Sequence, residues 1–227
     1  MQIQWTQAVA AAVMMFAVAG AAAASASAQN APAPAQGRQN QPQPAPSVSP
    51  FDISGSFYKT FSNSSSGNGT AQTTTDSYGG MVGIRYTPGP WKGAEINYSF
   101  NHLDQSFAVQ PACGLLCSNA PVTIPNLQSQ VTVEYVASRR MGRVTPFAEA
   151  GFAFVINYTT GNAYAINTVV RPGYVGGAGA DFGGPRFGVR VQFRDTFYKA
   201  PNLTASYLPT GKFMETAEPM GGFYFRF

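Results

Sequence analysis

The chain is predicted to be all-β: an eight-stranded antiparallel up-and-down transmembrane β-barrel, preceded by a signal peptide and a disordered leader. Three observations predict it. Apolar and polar residues alternate with a period of two through eight segments. The connections between those segments alternate strictly between long polar loops and short turns. The last segment, 219–227, puts Pro219, Gly221, Phe223, Phe225 and Phe227 on one side and Met220, Gly222, Tyr224 and Arg226 on the other. A strand with one wholly apolar side suits hydrocarbon on that side. Only helices and closed barrels cross a bilayer, because every backbone N–H and C=O must be paired there.

Composition agrees. Charged residues make up 11% of the 227 residues, against about a quarter in a soluble domain. Aromatics reach 13% and there are 24 glycines. The net charge of +4 contains no clustered basic tract, so nucleic-acid binding is not expected. No apolar run in the mature part reaches the roughly 20 residues of a membrane-spanning helix. Barrel strands escape that test because only every second residue is apolar.

Residues 1–28 have the layout of a secretory signal: an apolar run over 8–24, then Ala26-Ser27-Ala28 as a small-x-small cleavage site before Gln29. No Lys or Arg precedes the run, so an uncleaved anchor is the rival reading. Residues 29–50 are rich in Pro, Gln and Ala without a period, which predicts a disordered periplasmic leader. The barrel is expected over 51–227.

The strands follow in order. Phe51, Ile53, Gly55, Phe57 and Phe61 share the outer side of the first, with Asp52, Ser54, Ser56, Tyr58 and Thr60 inside. The second turns Tyr78, Gly80, Val82, Ile84 and Tyr86 out and Arg85 in. The third turns Ala94, Ile96, Tyr98 and Phe100 out and Glu95, Asn97, Ser99 and Asn101 in. The fourth has Val131, Val133 and Tyr135 outside and Gln130, Thr132 and Glu134 inside. The fifth is weaker, with Ala148, Ala150, Phe152 and Phe154 out and Glu149 in. The sixth is glycine-rich, with Tyr174, Gly176, Ala178, Ala180 and Phe182 out and Asp181 in. The seventh is clearest: Phe187, Val189, Val191 and Phe193 out, Arg186, Arg190, Gln192 and Arg194 in. The eighth is 219–227.

Residues 62–77, 104–127, 157–168 and 196–216 form the long connections, and the short ones hold turn residues such as Pro88-Gly89-Pro90 and Gly183-Gly184-Pro185. That rhythm belongs to outer-membrane barrels, with short periplasmic turns and long external loops. It leaves both ends of the barrel domain on the periplasmic side. A soluble sandwich or lipocalin-like barrel shares the alternation but not the rhythm. Cys113 and Cys117, the only cysteines, fall in the second long loop, where a short disulfide is expected in an exported protein and a Cys-x3-Cys metal site is the rival.

An eight-stranded barrel has a lumen just wide enough for side chains to fill. Charges there must be paired. Two networks are expected, one at mid-height around Glu149 and Arg190, and one nearer the periplasm using Arg85, Glu95, Glu134, Asp181, Arg186 and Arg226. The rival is an arginine ladder, Arg186, Arg190 and Arg194, lining an ion pore. Lys59, outward near the external end, could reach a lipopolysaccharide phosphate or snorkel. No metal or cofactor site and no catalytic residues are expected. His102 with Asp104 and Ser106 at the external rim is the one weak constellation for lipid chemistry.

The signal peptide, the stretch Arg186-Phe187-Gly188-Val189-Arg190-Val191-Gln192-Phe193-Arg194-Asp195 and the Phe223-Tyr224-Phe225-Arg226-Phe227 end together resemble small OmpA-type outer-membrane β-barrels. The resemblance implies outer-membrane localisation in a Gram-negative-type bacterium. It implies a Phe223/Phe225/Phe227 signal read by the barrel assembly machinery, contact with periplasmic chaperones, lipids and lipopolysaccharide, and a monomer. The expected function is structural, with external loops that bind or adhere to an extracellular ligand. A narrow porin-like channel is the alternative, and a lipid A-modifying enzyme a distant third.

Overall fold

The computed structural model describes residues 49–227 apart from 63, 110–120, 160–167 and 206. The expected signal peptide, nearly all of the leader, Cys113 and Cys117 lie outside the described residues. Every regular element described is a strand: β1 Phe51–Ser62, β2 Ser65–Gly67, β3 Thr70–Thr74, β4 Ser77–Gly89, β5 Lys92–Val109, β6 Val122–Ser138, β7 Val144–Thr159, β8 Thr168–Gly183, β9 Phe187–Lys199 and β10 Phe213–Arg226.

Eight of them close a ring. Sequential neighbours pair antiparallel from β4 round to β10, β1 bridges β4 and β10, and β5 pairs with β6. The closing seam is long: β1 and β10 pair from Asp52↔Arg226 to Ser62↔Thr216. No edge is left unpaired within the ring, which is the condition for crossing hydrocarbon.

The two faces separate as the alternation requires. Outside stand Phe57 (81% exposed), Tyr78, Phe152, Tyr174, Val191 and Phe223. Inside, Asp52, Arg85, Glu95, Glu134, Arg190 and Arg194 are buried. A soluble barrel has the reverse arrangement. An apolar belt this continuous is stable only against hydrocarbon. Aromatics gather toward the short-turn end, where Tyr86, Trp91, Tyr135, Phe182 and Phe187 are exposed, as an interfacial girdle does. Phe187 stacks on Phe223 at 5.8 Å between ring centroids. The 13 residues of β9, tilted as barrel strands are, rise about 30 Å, enough for the hydrocarbon band.

Three features depart from the sequence reading. Residues 62–77 hold a short hairpin, β2–β3, turned at Asn68 and Gly69, both with positive φ (51° and 76°). That is the Asn-Gly pair a tight two-residue hairpin turn favours. β3 then pairs with the upper part of β5, which runs on to Val109. The eighth barrel strand starts at Phe213, six residues earlier than expected, which brings Glu218 into the wall with its side chain inside. The last external connection, 200–212, folds inward: Leu203 is fully buried against Phe107 and Ile124.

An arginine on the outer face at mid-height tests the belt. Val191→Arg is expected to lower stability by about 2–4 kcal/mol, read from urea unfolding in lipid vesicles.

Candidate functional site

The lumen is the chemically distinctive part of the molecule. Its lower half holds six carboxylates, Asp52, Glu95, Glu134, Glu149, Asp181 and Glu218, all buried. Four guanidiniums face them: Arg85, Arg190, Arg194 and Arg226. Charges withdrawn from water are tolerated only when paired and hydrogen-bonded, and ion pairs join all of these except Glu218 into one connected cluster.

Arg190 is its centre. Its Nε donates to Asp181 Oδ1 at 2.7 Å and its Nη2 to Asp181 Oδ2 at 3.1 Å. The two groups are register partners on β8 and β9, so this bidentate fork is built into the pairing. Arg190 also reaches Asp52 at 3.1 Å and Glu95 at 3.5 Å. β5 and β9 stand opposite each other in the ring, so the Glu95 contact crosses the full width of the lumen. Arg85 donates through Nε to Glu95 Oε2 and lies 3.4 Å from Glu149 and 3.9 Å from Asp181. Its contact with Asp181 also joins opposite walls, β4 and β8. Arg194 bonds Glu134 at 2.9 Å and lies 3.6 Å from Glu149. Arg226 closes the lower end, 3.5 Å from Asp52.

Aromatic faces fill the gaps. The Phe147 ring lies under Arg85, 4.0 Å from its guanidinium carbon, and Tyr224 lies 5.4 Å from that of Arg190 and 5.2 Å from that of Arg226. Glycines on β8 make the room. A Cβ on Gly177 would come within 2.9 Å of Glu149 Oε1 and 3.1 Å of Arg194 Cγ, and one on Gly179 within 2.7 Å of the Phe147 ring. Gly177 and Gly179 thus serve close packing of side chains inside the wall.

The residues expected from sequence divide as follows. Arg85, Glu95, Glu134, Glu149, Asp181, Arg190, Arg194 and Arg226 come together in this cluster. Arg186 does not: it is exposed in the turn between β8 and β9, outside the lumen, because the chain leaves the wall at Gly183 and rejoins it at Phe187. The expected separation into two networks is replaced by one. Glu149 pairs with Arg85 and Arg194, not with Arg190, since Arg190 is occupied by its strand neighbour Asp181. Asp52 as an ion-pair partner, Phe147 and Tyr224 are members that sequence reasoning missed, and so is Glu218 as a buried inward neighbour. Phe223, Phe225 and Phe227 are exposed on the outer side of the C-terminal segment. Lys59 pairs with Asp76 at 3.2 Å and lies over Phe61. His102, Asp104 and Ser106 share one outer stripe of β5, where Ser106 Oγ is hydrogen-bonded to Thr123 at 2.9 Å.

Above the charges the lumen turns apolar and then polar. Tyr58, Met81 and Met220 form one buried group, and Val155, Tyr198, Ala200 and Met214 another. Gln128 and Gln130 donate to Tyr198 and Thr196. The inward-folded connection 200–212 covers the external mouth. It is anchored by Ser65 to Thr210 (2.9 Å), Asn68 to the carbonyl of Pro209 (2.8 Å) and Gln72 to the carbonyl of Pro201 (3.2 Å).

Removing the hub should be costly, and removing the stray arginine should not. Arg190→Met is expected to lower stability by about 3–5 kcal/mol, because three carboxylates lose a partner. Arg186→Met should stay within about 0.5 kcal/mol of the parent. Unfolding midpoints in vesicles read both.

Solved structures share this architecture. Neisserial surface protein A (NspA) matches with a TM-score of 0.52 at 9% identity, over 79% of this chain and 98% of its own. The outer membrane protein OprG from Pseudomonas aeruginosa matches with a TM-score of 0.54 at 14% identity, over 78% of this chain and 95% of its own. No protein-family model matches, and no curated protein matches in sequence. At these identities the likeness is one of fold. The chain is an eight-stranded antiparallel β-barrel, the fold it shares with NspA and OprG.

Proposed function

We propose that this protein is an integral outer-membrane barrel that works through its external surface and does not carry solutes across the membrane. One observation carries the reading: ion pairs span the lumen from wall to wall, Arg190 to Glu95 and Arg85 to Asp181. A lumen bridged by interlocked guanidiniums and carboxylates has no continuous water path, and eight strands leave no room for one beside them. The covered external mouth supports the same reading.

The external end supports a binding role. β5 and β6 stay paired up to Phe107↔Val122, and the β2–β3 hairpin and connection 200–212 pack onto that extension. The result is a rigid platform on which a ligand could be held with little ordering cost. Lipids and lipopolysaccharide surround the belt in this proposal. The barrel assembly machinery would read Phe223, Phe225 and Phe227, and the working unit is a monomer. A lipid-modifying role would require His102 and its neighbours on β5, and nothing in their hydrogen bonding favours it over the structural role.

The rival is a narrow channel. Six buried carboxylates against four guanidiniums would make such a channel cation-selective. Single-molecule recording in planar bilayers separates the two. The proposed barrel inserts without steady conductance. A stable, cation-selective current would contradict it and establish the channel.

A further inference from the structure

The short-turn end of the barrel sorts charge by sign. Its turns carry Lys92, Arg139, Arg140, Arg143 and Arg186, all exposed, and no acidic residue. Inside this rim lies a cavity of about 620 Å³ at the mouth of the lumen. Four guanidiniums, Arg85, Arg139, Arg140 and Arg226, line it against one carboxylate, Asp181. Trp91 forms part of its wall.

The site is built on fixed backbone. The Trp91 N–H donates to the Ser138 carbonyl at 3.3 Å, tying the first turn to the second. Tyr135 donates its hydroxyl to the Trp91 carbonyl. The second turn is locked by reciprocal bonds between Met141 and Val144 and by the Arg139 N–H to the Pro146 carbonyl at 3.1 Å. The guanidiniums differ in how far they are satisfied. Arg85 is saturated by the cluster above. Arg139 and Arg140 pair with no described carboxylate; among the described residues Arg140 Nε donates to the Gly142 carbonyl, at 3.3 Å. Arg226 stands 3.5 Å or more from its two carboxylates, and its buried Nε has no hydrogen-bond partner.

We infer that this mouth binds a phosphoryl group between Arg139, Arg140 and Arg226. Guanidinium forks match tetrahedral oxyanions in bidentate geometry. Arg139 and Arg140 bring two positive charges to the lining that no described carboxylate offsets, which suits a dianion better than a single carboxylate. The cavity has the size of a small-molecule pocket. With the lumen closed above it, the site is one of capture and not of passage. The phosphoryl group could come from a soluble phosphorylated compound or from an anionic phospholipid headgroup.

Trp91 is a built-in reporter. With Trp5→Phe, the full chain keeps Trp91 as its one tryptophan. Inorganic phosphate titrated into the protein in zwitterionic micelles should shift Trp91 emission saturably. Acetate at equal ionic strength should bind at least tenfold more weakly. Arg139→Ala/Arg140→Ala should weaken phosphate binding at least tenfold, whereas Arg186→Ala, outside the cavity, should leave it unchanged. A second arm compares vesicles of phosphatidylcholine with and without phosphatidylglycerol. Saturation by phosphate in micelles assigns the site to a soluble ligand. A shift only with phosphatidylglycerol, lost in the double variant, assigns it to a lipid headgroup. No saturable shift in either arm, equal binding of acetate, or binding that survives the double variant with its unfolding midpoint intact would overturn the inference.

Discussion

Arg190 has no water to turn to. It sits fully buried at the centre of a closed ring of strands, and its neutralisation by Asp181, Asp52 and Glu95 ties three parts of the wall together. The constraint behind this is the solvent outside. Hydrocarbon accepts neither an unpaired backbone group nor an unpaired charge. The ring must therefore close, the apolar half of every strand must face out, and the polar half must find its partners within a narrow lumen. Charge pairing inside is the counterpart of the phenylalanine belt outside.

That constraint also explains which parts of the molecule could be read from sequence. The barrel strands were legible because lipid on one side and a polar lumen on the other impose a strict period of two, as in Phe187, Val189 and Val191 against Gly188, Arg190 and Gln192. The period names a side of the wall but not a height or a partner. Glu149 and Arg190 both face inward, yet register pairs Arg190 with Asp181 and leaves Glu149 to Arg85 and Arg194. Arg186 has the parity of an inward residue but lies past the end of the wall. Glu218 was within reach, since it shares the inward side of the strand with Met220 and Tyr224; extending the last strand by a few residues finds it.

The rest was not legible because its physics differs. The β2–β3 hairpin has polar residues on both faces, so no period survives, and only Asn68-Gly69 betrays a turn. Leu203 is a single apolar residue in a polar connection. Its burial depends on Phe107 and Ile124, on the upper reaches of β5 and β6, which only the folded register brings under it. Phe147 runs against the rule that phenylalanine faces lipid. It is kept inside because a flat aromatic face can cover Arg85 where a polar group would need partners of its own.

The two ends of the lumen are built differently. The external end is covered by packed apolar side chains and hydrogen-bonded loops, the other is open and basic. Between them the ion-pair cluster sets the boundary. Lipid covers the odd-numbered side of β9, and packed protein covers the even-numbered side. A spin-label scan along Phe187–Lys199 in vesicles measures this directly. Labels at 189, 191 and 193 should be mobile and open to oxygen but shielded from a water-soluble relaxation agent, while those at 190, 192 and 194 should be immobile and closed to both. Water-soluble agent reaching the odd-numbered positions, or free access of that agent to the even-numbered ones, would contradict it.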